Sequence, residues 1–315
     1  MIRLLPKPRF IIPRLQPKIE RLPRWKAMTV AAGFRFAGGV LLCADTEITG
    51  AKLKTRGTKI FPYEFSRSKN KIIFTFSGDV ASSKMCIQQI ARSVAASPDD
   101  TEDKVFAILA SQLHDFHDKY IFKHPHYGYS TGPEVNLIIA VWSAGDKRLT
   151  LYESLEDKLT EVSELKPFAI TGSGGEFASY IAKPLVPHEG MKMTDLVTVA
   201  VYALKEAKDN APGCGKSSEL ITITDGGEIG NIGWLQSSYV ESFAKGFEMG
   251  VKHLFVETCD LNTPETQVQE RFNSLWAIIQ ATREHLRREK EKNLGLYALN
   301  DVLMGTIVGQ KIIKL

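Results

Sequence analysis

"KAMTVAAGFRFAGGVLLCADTEIT", residues 26–49, decides how this chain is read. Thr29–Phe36 and Val40–Ala44 are two β-like apolar runs on either side of Gly38-Gly39, the pattern of a hairpin. A folded body is therefore expected to start at Thr29, directly after Met28. The residues before it differ in kind. They include Pro6, Pro8, Pro13, Pro17 and Pro23, a density that blocks helix and leaves little to build a core. They also carry eight Lys/Arg against Glu20 alone, so the net charge of +4 divides into a basic leader and a body of net −3. The body has no basic field of the kind that binds nucleic acid. Residues 1–28 are read as a disordered extension or as a start codon placed too early, and not as part of the fold.

Working outward, 315 residues suffice for one large domain or two small ones. A hydrophobic fraction of 43% with 24% charged residues describes a soluble globular chain. No apolar run reaches the roughly 18–20 residues of a membrane helix, and the leader lacks the apolar centre of a secretory signal. Cys43, Cys86, Cys214 and Cys259 lie far apart with no CxxC pair, which argues against zinc or a disulfide framework and for a reduced, cytoplasmic setting.

After the hairpin, "KIIFTFS" (71–77) reads as a strand ended by Gly78. Asp79–Ala96 and Thr101–Tyr120 carry apolar residues at helical spacing. "VNLIIAVW" (135–142) is a strand buried on both faces, and Arg148–Tyr152 and Phe168–Thr171 are further strands. Glu176–Leu185 and Thr194–Lys208 are helices, the second opening on a threonine cap. Glu219–Thr224 is a strand followed by the turn-rich "DGGEIGNIG". Strands, two helices, strands, two helices and strands predict an α+β fold, a four-layer αββα sandwich of two antiparallel sheets flanked by helix pairs. The body then spans 29–233. Residues 234–315 form a partly helical extension whose charged stretch "TREHLRREKEKN" suits a solvated face or an oligomer contact.

The stretch Thr29–Asp45 resembles the start of mature proteasome β-subunits and of the HslV-type peptidase, both N-terminal-nucleophile hydrolases with an αββα fold. The resemblance runs in order across roughly 29–224 and leaves out the leader and the last ~90 residues. In that family a threonine begins the mature chain, an aspartate follows sixteen residues later, and a lysine sits on the next strand. Here Thr29 is followed sixteen residues later by Asp45, in "CAD". Lys59, in "GTKIF", fits the lysine best, with Lys52 and Lys54 as competitors. Gly78, in "FSGD", stands at the family's glycine turn, and Ser173, in "TGSGG", at its "GSG" segment. Asp209, in "AKDNAPG", stands for a later aspartate. The serine three residues beyond that aspartate is missing, because Pro212 stands there; Ser217 or Ser218 could replace it.

The resemblance implies a threonine peptidase, and physical chemistry makes its residue types intelligible. A threonine hydroxyl is a poor nucleophile that needs a base. A chain-terminal α-amine, with a pKa of about 7.7–8.0, supplies one from the same residue. A lysine beside the hydroxyl favours the ionised oxygen, an aspartate holds the lysine, and a glycine N–H faces the developing oxyanion. All this requires the chain to begin at Thr29. A methionine before a small residue is also what methionine aminopeptidase removes, so Met28 is expected to be the true initiator. The implied partners are peptide or unfolded-protein substrates and a homo-oligomeric ring, with room for a regulatory ATPase; no cofactor, metal, nucleic acid or membrane is implied. Two rivals stand beside this: a non-catalytic structural subunit that retains its leader, and an N-terminal-nucleophile amidohydrolase acting on a small amide. His114 and His117, three residues apart, read as solvated or capped side chains more readily than as metal ligands. "HPH" (124–126) has no third ligand. "DGGEIG" opens no helix and is no dinucleotide motif.

Overall fold

The computed structural model describes residues 29–49, 53–127, 132–163, 165–187, 191–292 and 313–314. The leader and the competing Lys52 lie outside them. The opening hairpin pairs β1 (Ala31–Phe36) with β2 (Gly39–Asp45), and Gly38 takes φ +99° at the turn, a conformation that a Cβ would strain. A small ribbon of β3 (Glu47–Thr49) and β4 (Lys54–Arg56) follows. Next come β5 (Ile60–Glu64) and β6 (Lys71–Gly78), then α1 (Val80–Ala96) and α2 (Glu102–Phe116). The side chain of Asp79 caps α1 by accepting from the Ser82 N–H at 2.7 Å. The expected helix to Tyr120 changes character at His117, where a π-turn runs to Ile121.

The second half holds β7 (Val135–Ser143), β8 (Arg148–Leu155), β9 (Lys158–Glu161) and β10 (Phe168–Thr171). Then come α3 (Gly175–Leu185), α4 (Met193–Asn210), β11 (Ser218–Thr224) and β12 (Ile229–Ile232). The threonine cap expected for α4 is not there. Lys192, in an extended conformation, precedes the helix, and Thr194 already lies in its first turn without capping it. Among the described residues after 233 are two long helices, α5 (Trp234–Cys259) and α6 (Glu265–Lys292), and a two-residue strand, β13 (Ile313–Lys314).

Two larger sheets result. One has the order β10-β1-β2-β11-β12 with antiparallel neighbours; the other runs β13-β5-β6-β7-β8-β9, antiparallel except where β13 joins β5. Because strand side chains alternate, β1 and β2 supply two cores at once. Ala32, Phe34, Leu41 and Cys43 pack outward against Ala178 of α3 and Leu196, Ala200 and Leu204 of α4. Ala31, Leu42 and Ala44 pack inward against Ile73, Ile138 and Leu151 of the other sheet. The far side of that sheet, with Phe74, Phe76 and Ile139, is covered by Ile87 and Ile90 of α1 and Leu109 and Leu113 of α2. This is the mixed α/β architecture with antiparallel sheets that the pattern called for. α5 packs on α4 and β11. Lys205, nearly buried, joins α4 to α5 through Glu248, and Lys208 does so through Glu241 at 2.5 Å.

Candidate active site

The hairpin brings the two ends of its own sequence together. Ala31 lies opposite Ala44, so Thr29, just before β1, meets Asp45 at the end of β2. Both are buried, as is Lys59. Thr29 Oγ1 donates to Asp45 Oδ1 at 2.7 Å, and Lys59 Nζ donates to the same oxygen at 2.7 Å and also to Thr29 Oγ1. Three polar side chains thus close a triangle. The Asp45 carboxylate is saturated further. Oδ1 accepts from the Val30 N–H at 2.9 Å, and Oδ2 from the N–H groups of Glu47 at 3.2 Å and Gly215 at 3.1 Å. A buried ion pair is tolerated when its remaining lone pairs are occupied in this way.

The competition among lysines is settled by position. Lys54 is exposed and pairs with Glu47 at 2.7 Å, whereas Lys59 sits at the entry to β5 and is 1% exposed. Its backbone is held by a residue that the sequence reading did not single out. Glu219 on β11 accepts from the Lys59 N–H and from Thr58 Oγ1, both at 3.2 Å. Burial raises the pKa of Glu219, while those two hydrogen bonds and the charges of Arg56 and Lys59 pull it back.

Ser173 reaches Thr29 from a distant part of the chain. β10 pairs with β1, and the turn after it runs past Thr29. The Thr29 N–H donates to Ser173 Oγ at 3.3 Å, and the Gly174 N–H donates to the Thr29 carbonyl at 3.3 Å. Gly172, at φ +97°, is required there, since a Cβ would stand 2.2 Å from the Thr29 carbonyl oxygen. Gly78, at φ +105°, ends β6 where α1 begins and lies opposite Val135; a Cβ would meet the Glu134 carbonyl at 2.1 Å.

Asp209 is not brought to this cluster. α4 continues through it, its side chain is half exposed, and it faces Lys205 at 3.4 Å. Ser218 is engaged elsewhere, its Oγ donating to Glu241 at 2.7 Å, and the Ser217 backbone N–H donates to Thr46 Oγ1 at 3.0 Å. Cys214 comes instead, with Sγ 4.0 Å from Ser173 Oγ. Burial, and after it the charge of Asp45, pushes the pKa of this thiol up to about 12, so it is neutral at working pH. Its signal in the sequence was its place in the turn after α4, "APGCG". His114 pairs with Asp157 at 2.7 Å and His117 is buried; among the described residues no three His, Cys, Asp or Glu come together as a metal would require.

A family model described as proteasome subunit matches residues 26–223, nearly two thirds of the chain. The chain belongs to the proteasome subunit family. The match ends at β11 and leaves α5 and α6 outside. No curated protein matches the chain by sequence. Among solved structures, this proteasome-family chain is similar to a Gly-1 mutant of Anbu from Hyphomicrobium sp. strain MC1, with 13% identity and a TM-score of 0.59; the match covers 72% of this chain and 96% of that one. It is also similar to Anbu from Yersinia bercovieri, described as an ancestral β-subunit, with 12% identity, 72% and 97% coverage and a TM-score of 0.59. The helical assembly of the Anbu complex from Pseudomonas aeruginosa gives 12% identity, 72% and 95% coverage and the same score. At such identities the likeness is one of fold. No helix among the described residues is long and apolar enough to cross a membrane.

Proposed function

We propose that this proteasome-family chain is a threonine peptidase whose nucleophile is Thr29, exposed as a chain terminus once residues 1–28 are gone. The observation that carries this reading is the closed triangle of Thr29 Oγ1, Lys59 Nζ and Asp45 Oδ1, with the Thr29 nitrogen on Ser173. The freed amine takes the proton of Oγ1, directly or through Ser173 or a water, while Lys59 stabilises the oxygen as it gains charge. Oγ1 bonds to the substrate carbonyl carbon. The Gly78 N–H, next to the N-terminus of α1, receives the oxyanion. The C–N bond breaks as the amine returns its proton to the leaving nitrogen. Water then hydrolyses the threonyl ester by the same base. Asp45 holds Lys59 in place.

The finer architecture follows the same reading: the two sheets face each other and the helix pairs cover them, an αββα sandwich. Substrates are peptides or unfolded protein, and the particle is a homo-oligomer, for which the helical assembly of the Pseudomonas Anbu is a precedent of fold. Two measurements on purified protein test the function: the N-terminal residue with intact mass, and cleavage of a peptide library by wild type and Thr29→Ala. A chain beginning at Thr29 whose cleavage disappears in Thr29→Ala is expected. An active preparation made only of chains that retain residues 1–28 would overturn it; an inactive one that retains them would overturn it too and favour the structural-subunit reading.

A further inference from the structure

A cleft of about 970 Å³ opens beside the nucleophile and has no part in the steps above. One wall is Ile170, Thr171 and Gly172, at the end of β10. The other is α3, with Glu176, Ser179 and Tyr180. β10 is an edge strand, and among the described residues only β1 pairs with it. The phase of that pairing is set by the Arg35 N–H, which donates to the Pro167 carbonyl at 2.8 Å. Antiparallel partners alternate in orientation, so Ala169 and Thr171 turn their amides toward β1. Phe168 and Ile170 turn theirs away, to the open edge. Such a row of N–H and C=O groups at strand spacing is a template for one more strand. Tyr180, 79% exposed, stands beside it as an apolar wall left in water.

The cleft adjoins the catalytic cluster through Gly172. Gly172 packs on the Thr29 carbonyl, and the next residue, Ser173, holds the Thr29 nitrogen. That nitrogen must hand its proton to the leaving amine, so the half of the substrate that departs as an amine lies on the Ser173 side. We propose that the cleft binds the substrate polypeptide beyond its scissile bond, as an extended strand added to the free edge of β10. The proposal rests on the peptidase reading and adds to it a requirement for several residues on the leaving side. Phe168–Thr171 spans about 13 Å, which matches about four substrate residues, of which alternate ones face the edge.

The test compares peptides with one acyl half and either one or five residues after the cleaved bond. About two new backbone hydrogen bonds should raise kcat/KM by about tenfold or more for the longer peptide. N-methylation along the leaving half should remove the gain at alternate positions only. Ile170→Pro, which deletes an outward N–H and no ladder bond, should remove it as well. Ser179→Trp, which fills the cleft, should do the same should the proline variant fail to fold. A second readout needs no catalysis. Hydrogen exchange at the Phe168 and Ile170 amides of Thr29→Ala should slow when the five-residue leaving-half peptide is added. Equal rates for the two peptides, equal sensitivity to methylation at every position, or unchanged exchange would each overturn the proposal. So would protection that rises with protein concentration and without peptide, since a second copy would then occupy the edge. Slowed exchange with the alternating pattern, in a protein that cleaves neither peptide, would keep the strand site and refute the peptidase reading.

Discussion

Asp45→Asn removes one charge and changes almost no volume, so its effect isolates what the carboxylate does. Five donors converge on Asp45: Thr29 Oγ1, the Val30 N–H and Lys59 Nζ on Oδ1, and the Glu47 and Gly215 N–H groups on Oδ2. An asparagine offers only one oxygen. With that oxygen at the Oδ1 place, its NH₂ points at the Glu47 and Gly215 N–H groups, donor against donor. Turned round, it points at Lys59 and two more donors. Hydrogen bonds to a charged group contribute about 1.5–3 kcal/mol each, and breaking one side of a buried pair costs about 3–5 kcal/mol. With Lys59 1% exposed and Asp45 fully buried, the upper range applies, and a loss of about 4 kcal/mol is expected. That is a large part of the about 5–15 kcal/mol that holds a typical domain. The assay is urea unfolding of wild type and Asp45→Asn, followed by far-UV circular dichroism, with the midpoint and slope fitted together. Peptide cleavage should fall by about 10²–10⁴-fold in the same variant, because Lys59 is no longer held on Thr29 Oγ1. A stability change below about 1 kcal/mol would refute the reasoning, since exposed pairs already reach that value.

Gly172→Ala places a Cβ 2.2 Å from the Thr29 carbonyl at a φ of +97°, against backbone that cannot yield, so cleavage should fall by at least ~10-fold and stability by about 2 kcal/mol or more, read from kinetics and urea unfolding. His117 is buried, and burial lowers its pKa below the ordinary value of about 6.5, while the charge of Asp157 and the Val135 backbone pull it part of the way back. The unfolded chain therefore binds this proton first, and its contribution to stability is present above about pH 6.5 and lost as pH falls through the depressed folded value. Midpoints of thermal unfolding between about pH 7 and 5 should thus decline less steeply for His117→Phe than for wild type, and equal slopes would count against it. Iodoacetamide on the native protein should label Cys259, the exposed cysteine, and spare Cys43, Cys86 and Cys214, which are buried and whose thiol pKa values are pushed up. One added group by mass spectrometry, with activity retained, is the expected result; labelling of Cys214 would mean that the pocket beside Ser173 opens.

The sequence by itself determined the parts of this protein that are local. Thr29 and Asp45 could be placed together because a hairpin returns its chain to its own start, and the sixteen-residue interval is the length of that excursion. The alternation of strand and helix pairs was readable because β1, β2, β6 and β7 are apolar on both faces, and each face has its own core. The sequence already favoured Lys59 over Lys54, and the tertiary structure gives the physical ground: Lys59 is buried on Thr29 and Asp45, whereas Lys54 is exposed and pairs with Glu47. Only the tertiary structure brought Ser173 across 144 positions to the Thr29 nitrogen, through pairing of β10 with β1. The region after α4 marks the boundary most clearly. In sequence Asp209 had the spacing and Cys214 had none. In the fold α4 runs one residue past Asp209 and leaves its half-exposed carboxylate beside Lys205, while the turn that follows brings Cys214 to Ser173. Spacing along a chain measures contour length. Which side chain arrives depends on where a helix ends and which way the next turn points, and those are settled by packing against strands distant in sequence.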